Sequence, residues 1–192
     1  MPMNNLTDLF KHELGDLLFA EKTILKGLKK MAREVNEPAM KQRLEQHQGE
    51  TENQIKRLEQ AFEAAGLKVK ATECPGILGI MKEHDEFKED EEPSKQMLEA
   101  FDLGSGLRVE HYEIAAYQTA IAIGKTLGHR QSVALLNENL AEEVAMAKFI
   151  QTSAAASLKT MPAMEQEDGA SGGSGARKSA AGTRKRATAK KS

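Results

Sequence analysis

Four long segments of the sequence carry apolar residues at the spacing of an α-helix. They span about residues 5–35, 38–65, 94–127 and 130–158. In each of them an apolar residue returns every three or four positions, which places these residues on one face of a helix. Long helices that each have one apolar face bury those faces by packing together. The sequence therefore predicts an all-α fold with four long helices.

The breaks between these segments fall at residues that start or stop helices. Pro38 suits the first turn of a helix, because the N–H that proline lacks has no partner there. Gly66 and Gly128 follow two of the segments, where a glycine commonly closes a helix. Only five prolines occur in 192 residues, and none falls inside a long segment, so each helix can run without interruption.

Residues 67–93 break the pattern and connect the second segment to the third. This stretch contains a Cys-Pro-Gly turn, an apolar patch at 77–81 and an acidic run, EHDEFKEDEE, before Pro93. We interpret it as a crossover with a short helix near residues 77–89. Such a crossover makes the second and third long helices parallel and turns the two hairpins at opposite ends. This connection is typical of a ferritin-like four-helix bundle.

The composition changes after residue 164, so we predict a helical domain at 1–164. Residues 165–192 are rich in Gly, Ser, Ala and Lys and are predicted to be disordered, because they have little apolar surface to bury. Residues 169–192 contain seven of the 27 basic residues and none of the 29 acidic ones. Such a tail can contact DNA phosphates without sequence specificity, since it has no aromatic residue and no groove-reading element. The alternative is a solubilising tail.

The sequence also indicates where the protein resides. Cys74 is the single cysteine, so no disulfide can form within the chain, which fits a reducing compartment. The first residues lack the basic start and apolar run of a secretory signal peptide. No stretch of 18 apolar residues is present, so we expect no transmembrane helix. We therefore expect a cytoplasmic protein.

Six ionisable residues occupy the apolar stripes or lie one turn further along the same faces. They are Glu21, His47, Glu50, Glu110, Glu113 and Glu143. A buried carboxylate costs on the order of several kcal/mol unless it is paired or bound to a metal. Surface glutamates on an acidic helical protein are the ordinary alternative.

The depth of four of these acids along the predicted hairpins argues for burial. Glu21 and Glu50 are equally far from the turn near residue 36, and Glu113 and Glu143 are equally far from the turn near residue 128. Each is about 15 residues from its turn, or roughly 22 Å along a helix. The four carboxylates are therefore predicted to meet near the middle of the bundle.

His47 and Glu110 lie one turn from this level, in a common layer. Two divalent cations would neutralise four negative charges and bind the carboxylate oxygens. A mixture of carboxylates and one imidazole suits iron, the metal we favour, or manganese. Zinc usually has fewer ligands. We predict two divalent metal ions as the cofactors.

Three sequence motifs resemble those of the YciF-like stress-protein family, within the ferritin-like superfamily. They are LTDLF..EL.DLL.AEK in the first helix, H..ET..QI.RLEQ in the second and VEHYEIA.Y in the third. The resemblance covers about residues 4–155. It implies a helical bundle with a di-metal site, usually di-iron, often a homodimer, and a role in general stress responses. By motif, the same six residues carry over as metal-ligand candidates.

The sequence departs from the wider di-iron pattern at two places. The usual ExxH spacing is reversed to HxxE, from His47 to Glu50, and Glu143 is followed three residues later by Met146 rather than by histidine. Ordinary ferroxidase chemistry is therefore in doubt, because the ligand set tunes redox behaviour. Glu142 is the alternative to Glu143, depending on the rotation of the fourth helix.

Other candidate residues are weighed by their position on the helices. His111 projects about 100° from Glu110, so it is expected beside the ligands or on the surface. Tyr117, four residues after Glu113, is placed to hydrogen-bond a ligand. Cys74 is interpreted as an inert thiol. Three further histidines are expected on the surface: His12, His84 and His129.

Three functions are compatible with these features. The first is a di-metal oxidoreductase, or a metal-handling stress protein, that reacts with peroxide or oxygen. The second is a non-enzymatic dimeric binding protein that is tethered to DNA through its basic tail. The third is a helical scaffold with a vestigial metal site.

Overall fold

A computed structural model describes residues 3–35 and 37–161. This part of the chain contains five α-helices and no β-strand. They are α1 (Leu6–Glu34), α2 (Pro38–Ala64), α3 (Pro75–Asp90), α4 (Lys95–Leu127) and α5 (Arg130–Leu158). The all-α prediction is confirmed, and each long helix ends within about two residues of its predicted bounds. The predicted disordered tail, residues 165–192, lies outside the described residues.

Local sequence explains where the long helices begin and end. The side chain of Asn5 accepts a hydrogen bond from the backbone N–H of Asp8 at 2.9 Å, which caps α1. Pro38 occupies the first turn of α2, as predicted. Gly66 and Gly128 have φ angles of 70° and 77°, a left-handed conformation that glycine adopts without steric cost. They close α2 and α4 at the predicted positions.

The four long helices form a bundle in which neighbours are antiparallel. α1 packs against α2 and α4, and α5 packs against the same two helices. Between α1 and α2, Lys22 pairs with Glu59 at 3.1 Å and Lys29 pairs with Glu52 at 3.2 Å. One residue number rises while the other falls, so these helices run in opposite directions. α2 and α4 therefore lie on a diagonal and run parallel, as the crossover predicted.

The two hairpins turn at opposite ends of the bundle. The rings of Phe10 and His129 stack with their centroids 5.4 Å apart. This contact places the α4–α5 turn beside the start of α1, whereas the α1–α2 turn lies at the other end of α1. The connectivity is that of the predicted ferritin-like bundle.

The predicted crossover helix is α3, which begins two residues earlier than expected. It packs against α4, with the rings of Phe87 and Phe101 stacked at 3.7 Å between centroids. Before α3 the chain passes close to α1, where the backbone N–H of Thr72 donates to the carbonyl of Gly15 at 2.9 Å. No described helix is long and apolar enough to cross a membrane.

Two apolar clusters fill the bundle on either side of a polar layer. The first cluster includes Phe10, Leu14, Leu17, Leu18, Leu58, Phe62, Tyr117 and Leu136. The second includes Ala20, Ile24, Leu28, Leu44, Ile77, Met146 and Ile150. Buried polar side chains occupy the level between them. The apolar clusters therefore separate this layer from both ends of the bundle.

Candidate metal centre

The polar layer holds five of the six ionisable residues that the sequence singled out. All five are at most 3% exposed, and they come from all four long helices: Glu21, His47, Glu110, Glu113 and Glu143. Their predicted burial is confirmed. Four carboxylates and one imidazole in an apolar interior are a costly arrangement unless charge and hydrogen bonding are satisfied.

These residues form two groups, and Glu143 belongs to both. One group is His47, Glu110 and Glu143; the other is Glu21, Glu113 and Glu143. Within each group, one ligand atom per residue lies within 4.8 Å of the others. Each group can hold a metal ion, and a carboxylate common to both places the two positions side by side.

Hydrogen bonding within the layer is incomplete. Several buried atoms have no hydrogen-bond partner among the described residues: His47 Nε2, Glu110 Oε2, both side-chain oxygens of Glu113, and Glu143 Oε2. Most buried polar atoms in proteins do have partners. These atoms are acceptors or metal ligands, and two divalent cations would satisfy them and balance four carboxylates. The residues therefore fit a two-metal site.

Burial shifts the protonation of the carboxylic acids. It raises the pKa of Glu21 to about 8, although a hydrogen bond from Tyr117 works in the other direction. Burial also raises the pKa values of Glu113 and Glu143 well above their usual range, and neighbouring carboxylates add to both shifts. Without a cation the layer holds protons, and a cation that binds there must displace them.

The imidazole of His47 presents one nitrogen to the layer and the other to Glu50. Its Nε2 lies 3.5 Å from Glu110 Oε1 and 4.0 Å from Glu143 Oε2. Its Nδ1 lies 3.2 Å from Glu50 Oε2. Burial opposes the charged form of His47, but the nearby carboxylates of Glu110 and Glu50 raise its pKa to about 9. In metal sites a carboxylate on the far ring nitrogen orients the histidine, and Glu50 occupies that place.

Glu50 is the sequence-predicted ligand that the fold does not bring into either group. Its side chain is 20% exposed, and it accepts hydrogen bonds from Arg43 at 2.9 Å and Gln46 at 2.8 Å. Hydrogen bonds from His47, Arg43 and Gln46 lower its pKa to about 2. Direct metal binding by Glu50 stays a prediction.

The displacement of Glu50 has a geometric cause. The ion pairs Lys22–Glu59 and Lys29–Glu52 are both centred between residues 40 and 41. The predicted depths placed this centre near residue 36, so α2 is offset along α1. The offset alone does not exclude Glu50, because His47, three residues earlier, reaches the layer. The buried face of α2 runs through His47, Thr51 and Gln54, and Glu50 lies at its edge, about 100° around the helix from Thr51.

Gln54 is the polar residue of this layer that the sequence analysis missed. It is 0% exposed, its Nε2 donates to Glu143 Oε1, and its Oε1 has no partner within the described chain. It lies two turns after His47 on the same face. An amide on the buried stripe of α2 was the available signal, but among polar residues only acids and histidines point directly to a metal ligand.

The choice between Glu142 and Glu143 depended on the rotation of α5. Glu143 is fully buried and faces the layer. Glu142 faces outward and accepts two hydrogen bonds from Arg57, at 2.8 and 2.9 Å. Glu143 is therefore the one that lies among the candidate ligands.

Tyr117 hydrogen-bonds a candidate ligand, as the sequence predicted. Its hydroxyl donates to Glu21 Oε1. His111 is exposed and lies outside both groups. The three histidines expected on the surface also lie outside both groups. His12 is exposed, as expected, while His84 and His129 are half-buried against Asp102 and Phe10.

Cys74 is a buried thiol outside the metal-ligand groups. Its Sγ lies 2.9 Å from the hydroxyl of Tyr112, which donates to Asp16 at 2.8 Å. Burial raises the pKa of the thiol, which keeps it protonated and poorly nucleophilic. The interpretation as an inert thiol agrees with this environment.

Residues 5–161 match the family described as "Domain of unknown function (DUF892)". The chain belongs to this family. It is also 36% identical over 146 residues to protein YciF of Escherichia coli K12, which covers 76% of this chain and 87% of that protein. The resemblance to the YciF-like family is confirmed.

Solved structures of two relatives share this fold. The crystal structure of the E. coli stress protein YciF superposes with a TM-score of 0.76 at 32% identity, covering 83% of this chain and all of the other. YcfI from Rhodopseudomonas palustris superposes with a TM-score of 0.73 at 40% identity, covering 78% of this chain and 94% of the other. The match spans the helical bundle.

Proposed function

We propose that the protein binds two divalent metal ions in its polar layer and uses them in stress-related redox or metal-handling chemistry. One ion is held by His47 Nε2 and Glu110, the other by Glu21 and Glu113, and Glu143 contributes to both. Glu50 acts on the first ion through His47. The observation that carries this proposal is the set of buried, unpartnered ligand atoms in a layer with four carboxylates.

Iron or manganese fits this ligand set better than zinc. Carboxylates with one imidazole are ligands that suit iron and manganese. Zinc sites are usually tetrahedral and close with four ligands that include thiolate or several histidines. A pair of ions with a common carboxylate also balances four negative charges with four positive ones.

Bound iron or manganese would supply electrons to peroxide or oxygen, an activity that would make the protein a di-metal oxidoreductase. The chain itself supplies position and shielding. The two apolar clusters separate the layer from the ends of the bundle, and Tyr117 and Gln54 hold Glu21 and Glu143 by hydrogen bonds. The E. coli relative is a stress protein, and we extend that association, and a place in the cytoplasm, to this protein.

Metal analysis of freshly purified protein, followed by titration with Fe²⁺ and Mn²⁺, tests the proposal. We expect two ions per chain and faster peroxide decay in the loaded protein. Glu143→Gln should lose both ions, because Glu143 belongs to both groups. Glu99→Gln is the matched control, since Glu99 is exposed on α4 and pairs with the exposed Lys95. A wild-type protein that takes up neither metal rejects the proposal.

We also propose a second property, nonspecific DNA contact through residues 169–192. The observation that favours it is the charge segregation of the sequence, with seven basic residues in that stretch and all 29 acidic residues before it. Gel shifts should show binding by the full chain, weakened by salt, and none by a chain ending at residue 168. Equal binding by both chains contradicts the tail as the contact.

The family resemblance further favours a homodimer. Sedimentation equilibrium of the full chain measures this directly. A mass equal to one chain, near 21 kDa, at micromolar concentration argues against it.

A further inference from the structure

A line of hydrogen bonds connects the surface of the bundle to Glu21. Arg57 Nη1 donates to Asn139 Oδ1 at 2.8 Å, Asn139 Nδ2 donates to the Tyr117 hydroxyl at 2.9 Å, and that hydroxyl donates to Glu21 Oε1. Each of the four long helices contributes one member: α2, α5, α4 and α1. We name these four residues the Arg57–Glu21 chain.

The direction of every hydrogen bond in this chain is fixed by chemistry. A guanidinium group can only donate, so the atom of Asn139 that faces it must be the carbonyl oxygen. The amide nitrogen of Asn139 also donates to the backbone carbonyl of Gln54 at 3.2 Å, which can only accept. The Tyr117 oxygen therefore accepts a hydrogen bond from Asn139. Its own O–H points toward Glu21 Oε1, which can only accept once Glu21 is ionised to bind a metal ion.

The Arg57–Glu21 chain is held at its outer end by ion pairs and is buried along its inner part. Asn139 and Tyr117 are 0% exposed. Arg57 is held at the outer end by two hydrogen bonds to Glu142 and by Glu138 at 3.2 Å. All donors point inward from a permanent cation, and aligned hydrogen bonds of this kind polarise and strengthen one another. The Tyr117 hydroxyl, at the inner end, is therefore a strong hydrogen-bond donor to Glu21 Oε1.

We propose that Arg57, Asn139 and Tyr117 are positioning residues that make Glu21 a one-oxygen ligand of the second metal ion. The inference rests on the proposed two-metal site. Glu21 belongs to the group with Glu113 and Glu143. Because Tyr117 engages its Oε1, the other oxygen of Glu21 is the one left to bind the ion. The first ion has a different support, in which Glu50 lies behind His47. The two metal positions are thus controlled by separate sets of residues.

This separation gives a test that does not depend on activity. Stepwise binding of Mn²⁺ to the full chain is measured by calorimetry and by electron paramagnetic resonance. The variants are Tyr117→Phe, which removes the terminal hydroxyl, and Asn139→Asp, which has nearly the same shape but draws the Tyr117 proton away from Glu21. Arg57→Gln alters the half-buried outer end of the Arg57–Glu21 chain. It provides a second variant for the same measurement if a buried variant does not fold.

Ser132→Ala is the matched control. Ser132 is also buried on α5, and its hydroxyl donates to the carbonyl of Ala61 at 2.8 Å. This hydrogen bond is not part of the Arg57–Glu21 chain. Its removal should lower stability without changing either Mn²⁺ affinity. This variant therefore distinguishes the effect of losing any buried hydrogen bond from the effect of breaking the Arg57–Glu21 chain.

We expect Tyr117→Phe and Asn139→Asp to lower the affinity for one of the two Mn²⁺ ions by about tenfold to 100-fold, the usual effect of losing a partner of a metal ligand. The affinity for the other ion should stay unchanged. Equal weakening of both ions, or no change in either, overturns the inference while leaving the two-metal proposal intact. A wild-type protein that binds no Mn²⁺, Fe²⁺ or Co²⁺ overturns both.

Discussion

Glu113 is a buried residue that lowers the stability of the metal-free protein and is placed to bind a metal ion. Both of its side-chain oxygens lack a partner among the described residues, and burial raises its pKa well above the usual range. Folding must therefore protonate or desolvate this carboxyl, which costs free energy in the metal-free protein. Bound cations would offset that cost, which is why we expect Glu113 to act in metal binding rather than in folding.

Replacing Glu113 by glutamine should stabilise the metal-free protein and weaken metal binding. Glutamine keeps the size of the side chain but has no charge to bury, so the free energy of unfolding should rise by about 1 kcal/mol or more. Thermal unfolding with a chelator, and then with Mn²⁺, measures both effects. Glu99→Gln, on the exposed face of the same helix, should change neither. A lower melting temperature for chelated Glu113→Gln contradicts this account.

The sequence identifies the acids and the histidine of the layer but not their hydrogen-bond partners. A carboxylate between apolar residues signals a burial problem that only pairing or a metal solves, so Glu21, Glu110 and Glu143 stand out. Gln54 and Asn139 do not, because a buried amide has ordinary explanations and its partners come from other helices. The Arg57–Glu21 chain depends on contacts between residues up to 96 positions apart, which no local pattern contains.

At the scale of whole elements, helix bounds are easier to predict than helix offsets. Caps, prolines and glycines act locally, so the bounds of α2 and α4 follow from Pro38, Gly66 and Gly128. The offset of α2 along α1 depends instead on how side chains of the two helices interlock. That is why the sequence placed Glu50 level with Glu21. Its position behind His47 follows from the rotation of α2, whose buried face runs through His47, Thr51 and Gln54.

The close approach of the crossover to α1 gives a prediction about Gly15. A Cβ at this position would lie 2.5 Å from Thr72 Oγ1 and 2.9 Å from the backbone carbonyl oxygen of Lys70. Backbone must therefore move, and we expect Gly15→Ala to destabilise the protein by about 1–3 kcal/mol.

Gly49→Ala is the matched control for this substitution. Gly49 lies within α2, and a Cβ there would meet nothing within 4 Å. Alanine favours a helix interior over glycine, so this variant should gain up to about 1 kcal/mol. Urea unfolding of both variants measures the contrast. A neutral or stabilising Gly15→Ala would mean that residues 67–74 do not hold their place against α1.

The four long helices share one polar level that lies between two apolar clusters. Two apolar clusters pack the ends of the bundle, and between them lies a layer whose unpartnered carboxylates weaken the middle of all four long helices. α3 packs on the outside of α4 and contributes no residue to either metal-ligand group. Metal binding should therefore tighten the bundle at one level rather than uniformly.

Hydrogen exchange of the chelated and Mn²⁺-loaded protein tests this distribution. Metal at 100 times its Kd should raise the global free energy of unfolding by about 2.7 kcal/mol for each ion bound. Where exchange proceeds by local opening, the gain in protection should be largest at the amides around Glu21, His47, Glu113 and Glu143, and smallest in α3. Glu143→Gln, which removes the carboxylate common to both groups, should abolish the gain everywhere. Equal protection of α3 and the polar layer would show that the ions bind elsewhere or act only on the global equilibrium.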